Sequence, residues 1–154
     1  AFSPAAGGFT LVSVQGDVPP AMSGHRLVWE PVMQRAILAG GHGGGGGVWV
    51  LDPSQATWTK LAVVPPIGAA RPSVTVEPHL GHVLISHAEL HHSVDLATGE
   101  VTEHVMTTSP PPLTRVGSVF DPLRGRVWQF GGARPDGQTV DALWSLKFGC
   151  AKVP

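Results

Sequence analysis

The chain has 154 residues, 42% of them hydrophobic and 14% charged, with a net charge of −1. That length supports an ordinary core and that composition is too apolar for disorder, yet no run nears the roughly 18 apolar residues of a membrane-spanning helix. The near-neutral charge offers no basic field for nucleic acid or for an anionic membrane. Cys150 is the only cysteine, which rules out an internal disulfide framework and leans towards a reducing, cytoplasmic compartment. No signal peptide is visible and the sequence opens on Ala1, so the expectation is a processed N-terminus or an excerpt of a longer protein.

Twenty glycines and 15 prolines suit a turn-rich all-β chain, and the apolar residues fall in short runs bounded by Gly, Pro, Asp and Ser. In chain order, Phe9 to Val14 predicts a first strand, followed by Pro19-Pro20. Gly24 to Trp29 predicts the next. Glu30-Pro31 then opens a turn in which proline presets φ and the acid precedes it, a role aspartate fills better than glutamate. Arg35 to Ala39 returns, and Gly40-Gly41 ends the strand. His42 and the run Gly43 to Gly47 predict a flexible loop. It is not a phosphate loop: no Lys-Ser or Lys-Thr follows, and a strand comes where a helix would be needed. Val48 to Asp52 is the third strand of this set, and Trp58 starts the fourth, which leads to Pro65-Pro66.

The same order recurs twice. Arg71 to Val76, Glu77-Pro78, His82 to Ser86, His91 to Asp95 and a strand from Val101 form the second copy. Arg115 to Phe120, Asp121-Pro122, Arg126 to Phe130, Gly131-Gly132 and Leu143 to Lys147 form the third. The acidic residue recurs after 47 residues and again after 44, a period that belongs to a solenoid or a propeller. Ser3 to Phe9 aligns with Asp52 to Trp58, which makes Phe9 to Val14 a fourth strand without its set; Val153 falls where the last fourth strand would begin.

Gly40-Gly41, Trp49 and the Trp58 that follows Asp-Pro-Ser-Gln-Ala-Thr resemble the kelch repeat, as do Gly131-Gly132 and Asp141-Ala142-Leu143-Trp144. The middle copy departs from the pattern, with His87-Ala88 for the glycine pair, His92 for the strand tryptophan and Val101 for the second one. The resemblance implies an all-β, kelch-type β-propeller of three four-stranded antiparallel blades. Residues 1–20 would supply the last strand of a preceding or closing blade, 21–66 the first blade, 67–112 a degenerate second and 113–154 a third lacking its last strand. Propellers typically have 4 to 8 blades, so three do not close a ring. The favoured expectation is an excerpt of a longer propeller. A six-bladed pair of chains and an open arc with partners at both ends stay open.

Candidate functional residues follow from this frame. Aromatics at fixed phase, Trp49 with Trp144 and Trp58 with Phe9, are expected to pack one blade on the next, and Trp29, Phe120, Trp128 and Phe130 to be core. Arg71 and Arg115 share one phase. The resemblance puts that phase near a mouth of the central channel, where arginine's planar fork suits acidic partners. His42, Arg134 and Asp136 sit in the loops that join second to third strands and are further candidates for partner contact. His87, Glu89 and His91 invite a metal reading across the middle copy's loop. The spacing is not that of the helical zinc-protease motif, and polar residues drifting into a worn repeat is the favoured alternative. Kelch-type copper-radical oxidases need tyrosine, which this chain lacks, and no paired carboxylates suggest a hydrolytic site. The expected function is a non-enzymatic interaction module that binds a protein partner through inter-strand loops and carries no cofactor. Two alternatives remain: part of a propeller enzyme or metal-binding protein whose site is completed elsewhere, and a structural subunit of a larger assembly.

Overall fold

Every regular element is a β-strand in the computed structural model of the chain, which describes residues 2–3, 8–43, 45–64, 71–106, 108 and 110–147. Three very short strands come first. β1 (Phe2–Ser3) and β2 (Gly8–Phe9) pair antiparallel, and β3 (Gln15–Gly16) follows. β4 (Arg26–Glu30), β5 (Arg35–Ala39), β6 (Gly47–Asp52) and β7 (Thr57–Val63) then form an antiparallel meander, to whose outer strand β3 adds in parallel. β8 (Ser73–Glu77), β9 (His82–His87), β10 (Leu90–Asp95) and β11 (Val101–Glu103) make a second meander. β12 (Gly117–Asp121), β13 (Arg126–Phe130) and β14 (Leu143–Lys147) make a third. The first strands of the three meanders, β4, β8 and β12, lie side by side. Cys150 and Val153 lie outside the described residues.

Each meander has a turn end and a loop end. At the turn end, five hairpins are closed by a carboxylate that folds back on its own backbone. Asp52, Asp95 and Asp121 each use one oxygen to accept two turn N–H groups: those of Ser54 and Gln55, of Ala97 and Thr98, and of Leu123 and Arg124, at 2.7–3.2 Å. The longer glutamates divide the task. Val32 N–H donates to Oε1 of Glu30 at 2.6 Å and Met33 N–H to Oε2 at 2.9 Å, while Arg35 Nε donates to Oε2 at 3.2 Å. Glu77 accepts from His79 and Leu80 in the same way. Glutamate is therefore not the poorer capping residue here. Its extra methylene lets the carboxylate lie beneath the turn, where Glu30 is only 2% and Glu77 7% exposed. Four residues after each acid the backbone turns left-handed, at Gln34 (φ 52°), Ala56 (49°), Gly81 (68°), Gly99 (76°) and Gly125 (57°).

The hydrophobic core sits between the first and second sheets. Ile37, Ala39 and Val48 of the first meet Val74, Val76, Val83, Ile85 and Val94 of the second, with Val64 and Leu96. Each fully buried side chain of this size contributes about 1.5–3 kcal/mol. At the loop end the glycine pairs let two chain segments pass closely: a Cβ on Gly41 would meet the backbone of His25 at 3.0 Å, and one on Gly132 the carbonyl of Thr114 at 2.9 Å.

Three expectations are corrected. Only the start of the strand expected over Phe9 to Val14 forms, in β2; such a strand needs the free edge of another sheet, and Leu11 is instead 96% exposed. The end of the glycine loop after His42 is shaped by packing, with Val64 N–H donating to Gly46 at 2.9 Å and the Trp49 ring lying on Gly47. Trp29 and Phe130 are not core. They are exposed on the two outermost sheet faces, Trp29 beside Leu27 and Phe130 beside Val119 and Leu143.

The shared left-handed position gives opposite signs for one substitution. Ala56→Gly should raise stability in urea melts by about 0.5–1 kcal/mol, since alanine bears about 1–2 kcal/mol of left-handed strain and glycine returns part of it as chain entropy. Gly99→Ala should cost more than about 1 kcal/mol, because a Cβ there would also meet the carbonyl of Leu61 at 2.6 Å.

Candidate functional site

Register decides which residues face each gap between sheets, since residues directly opposite on antiparallel strands share a face. On the first sheet, Val28, Ile37, Ala39, Val48 and Val50 face the second. The matching positions of the second sheet, Thr75, Leu84, Ser86, His91 and Ser93, face the third. Four of these five apolar positions have become polar. The opposite face of the second sheet kept Val74, Val76, Val83, Ile85 and Val94. The third sheet answers with polar residues of its own: Ser118 and Gln129 stand where the second sheet has Val74 and Ile85. The exchange in the middle copy is concentrated on this face and matched across the gap, although His87 and His92 lie on the opposite one.

The polar groups of this cleft are partly connected. Thr75 Oγ1 and Ser118 Oγ share a hydrogen bond of 2.6 Å, His91 Nδ1 and Ser86 Oγ one of 3.0 Å, and His104 Nε2 and Ser93 Oγ one of 2.8 Å. His82 Nε2 lies 3.6 Å from Asp95. A cavity of about 180 Å³ in the cleft is lined by His91, Gln129, Trp144 and Met106 among others. A second, of about 210 Å³, lies on the same face of the second sheet and is lined by Glu77, His82, Ser93 and His104 among others. Two buried N atoms at the first cavity, His91 Nε2 and Trp144 Nε1, have no hydrogen-bond partner among the described residues. On the face towards the first sheet, His92 Nδ1 is likewise buried without one. Burial pushes His87, His91 and His104 below the ordinary imidazole value of 6.5, and the neighbouring histidines push His91 and His104 further the same way. The shift favours the neutral form of each ring.

The metal reading of His87, Glu89 and His91 fails on register. The sequence suggests a loop there, but Ala88 and Glu89 form a two-residue turn, with Ala88 at φ 53° and Leu90 opposite His87. His91 then pairs with Ser86 and faces the opposite side of the sheet from His87, while Glu89 is exposed at the tip. Among the described residues no three His, Cys, Asp or Glu side chains come together to hold a metal.

The partner-contact candidates do gather at the loop end. Arg115 N–H donates to the Arg71 carbonyl at 3.3 Å, and the Arg71 side chain lies over Gly24. Both arginines are exposed and neither forms an ion pair among the described residues. His42 is tied to Ser23 by backbone hydrogen bonds in both directions, with its side chain exposed. Arg134 and Asp136 sit in a self-closed turn where Arg134 N–H donates to Gln138 and Gly137 N–H to Arg134, each at 2.9 Å. Of the signature tryptophans, Trp49 is buried with Lys60 Nζ 5.6 Å from its ring centroid, Trp58 is half-buried, and Trp144 lines the polar cleft. Sequence reasoning missed Ser73, Thr75, Ser86, Ser93, Ser118 and Gln129. Comparing the copies face by face would have found them.

No family model matches the chain, and no curated protein matches it. Among solved structures it is similar to one described as "Structure of YjhT", with a TM-score of 0.65 and 13% identity, over 86% of this chain and 49% of that one. The chain therefore spans about half the length of that protein, and the likeness is one of fold alone.

The buried histidines set a pH window. Their unfolded value is about 6.5 and the folded values lie below it, so the unfolded chain takes up more protons on acidification. Stability should be full above about pH 6.5 and fall as the pH drops towards 5. Asp52, Asp95 and Asp121, held below their ordinary 3.8 by side-chain and backbone donors, titrate outside that window. Urea midpoints at pH 7.5 and 5.0 check this, and His91→Gln should narrow the difference between them.

Proposed function

We propose that the chain is a stretch of a kelch-type β-propeller, and that it binds an acidic segment of a protein partner through the loop end of its sheets. The observation that carries the reading is the placement of Arg71 and Arg115. They come from equivalent positions of adjacent sheets, lie next to each other, and present two exposed guanidinium groups that no carboxylate among the described residues neutralises. The loops bearing His42 and Arg134 open at the same end. Arginine pairs of this kind recognise carboxylates by bidentate hydrogen bonds.

The propeller part rests on three supports: the kelch signature, the side-by-side first strands, and the apolar faces left at both ends of the stack. Phe130 is 58% and Leu143 62% exposed on the third sheet, and Leu27 and Trp29 are exposed on the first. Faces of this kind ordinarily meet another element. Further blades of the same sort would cover both, and the match to about half of a larger protein supports that reading. A second copy of the chain, closing a ring head to tail, is the other occupant that these faces allow.

Charge reversal tests the binding surface. The double variant Arg71→Glu, Arg115→Glu should fold as the parent does, because both side chains are exposed. In crosslinking followed by identification of captured proteins, it should lose the specific partners that the parent retains, and the parent's capture should weaken as salt rises. Retention of the full partner set by the double variant would dismiss this surface.

A further inference from the structure

We propose that the cleft between the second and third sheets is a binding site for a small neutral hydroxylated molecule, a polyol or monosaccharide, anchored by His91 and Trp144. This is distinct from the loop-end surface and does not depend on it.

The first argument is construction. An interface between packed sheets is ordinarily apolar, as it is between the first and second sheets of this same chain. Here four matched positions on one wall and two on the other have become polar, while the reverse face of the second sheet kept its valines and isoleucine. A packing interface gains little net stability from that exchange, because buried polar groups must find partners.

The second argument is the pair of groups left over. His91 is only 4% exposed, its Nδ1 is engaged with Ser86, and its Nε2 faces no partner among the described residues. Trp144 Nε1 is buried and also lacks one. Both residues line the same cavity of about 180 Å³, with Gln129 beside them and Met106, Pro110 and Leu146 as apolar walls. Two free hydrogen-bonding groups, an amide and apolar walls converging on one space is how small-molecule sites are made.

The third argument is the chemistry of the occupant. Among the described residues no Asp, Glu, Lys or Arg lines this cavity, and burial favours the neutral form of His91. An ion entering it would lose water without gaining a counter-charge. Trp144 N–H can only donate, so the ligand must accept there. His91 Nε2 donates or accepts according to which way the Ser86 hydrogen bond runs. A hydroxyl group satisfies both cases, since it donates and accepts. By volume, one water needs about 10–15 Å³ of such space, so the cavity has room for on the order of ten non-hydrogen atoms, the size of a tetritol or a hexose.

The test follows the indole N–H signals in proton–nitrogen NMR spectra of the chain. The neutral probes are glycerol, erythritol and methyl glucoside; the charged ones are gluconate and glucosamine. At least one neutral probe should shift the Trp144 indole signal saturably, with a Kd in the millimolar range or below. Trp49 and Trp58 should stay in place, and the charged probes should have at least tenfold weaker effect. Trp144→Phe, which keeps an aromatic ring in the wall, should weaken binding of that probe at least tenfold, read from the probe's own line broadening. His91→Gln serves the same purpose, read at Trp144, if the first variant does not fold. The proposal is overturned if no neutral probe shifts Trp144 saturably up to about 100 mM, which would mean that water alone fills the cleft. It is equally overturned if the charged probes bind as well, or if a folded variant binds undiminished.

Discussion

The fold depends on the closure of its hairpin turns by their own leading carboxylates. A β-hairpin that slips by one residue sends every side chain to the opposite face of its sheet. Glu30, Glu77 and Asp121 fix the first-to-second strand register, and Asp52 and Asp95 the third-to-fourth. The glutamates do so from buried positions, so removing the acid would strip a turn of its hydrogen bonds and also open a gap beneath it. The polar cleft depends on this register. Ser86, His91 and Ser93 face the third sheet only because the hairpins beside them cannot slide.

A fixed register gives the two inter-sheet gaps different physical characters. Between the first and second sheets, burial of valine and isoleucine supplies a non-directional attraction that tolerates small shifts. Between the second and third, contact runs through directional hydrogen bonds such as Thr75 with Ser118. Hydrogen bonds add little net stability but penalise misalignment, because an unmatched buried group retains its full desolvation cost. The third sheet is thus placed by geometry more than held by area. Local opening should follow this boundary, since regions with few buried apolar contacts open first.

Strand positions were legible in the sequence because each is a short apolar run with chemical stops. Arg35–Ala39, Arg126–Phe130 and Leu143–Lys147 have the expected bounds, and the others differ by a residue or two except the one expected over Phe9 to Val14, of which only the start forms. The all-β class followed from the same signals. The cleft was not legible, because it is made of parity and not of motif. His87 and His91 looked like partners because they are near in sequence, yet a two-residue turn puts an odd number of steps between their faces. Nothing in the letters His-Ala-Glu-Leu-His distinguishes a tight hairpin from a wider loop, since alanine rarely takes the left-handed conformation that Ala88 adopts. Trp29 and Phe130 misled for a related reason. Their strands were expected to be inner ones, but a sheet at the end of a stack has only one covered face.

The two ends of the sheets divide labour. At the turn end one device appears five times, with an acid to collect two N–H groups and a left-handed residue four places on. At the loop end the second-to-third strand connection is solved differently each time: a packed glycine run after His42, a two-residue turn at Ala88-Glu89, and a self-closed turn at Arg134–Gln138. The hairpin framework needs nothing specific from those loops once the turn end has set the register. Residues there are free to vary for chemistry, and the same holds for the one sheet face that exchanged its apolar side chains. Positions released from the duty of specifying the fold are where binding can be built at least structural cost, and in this chain they are the loop end and the polar cleft.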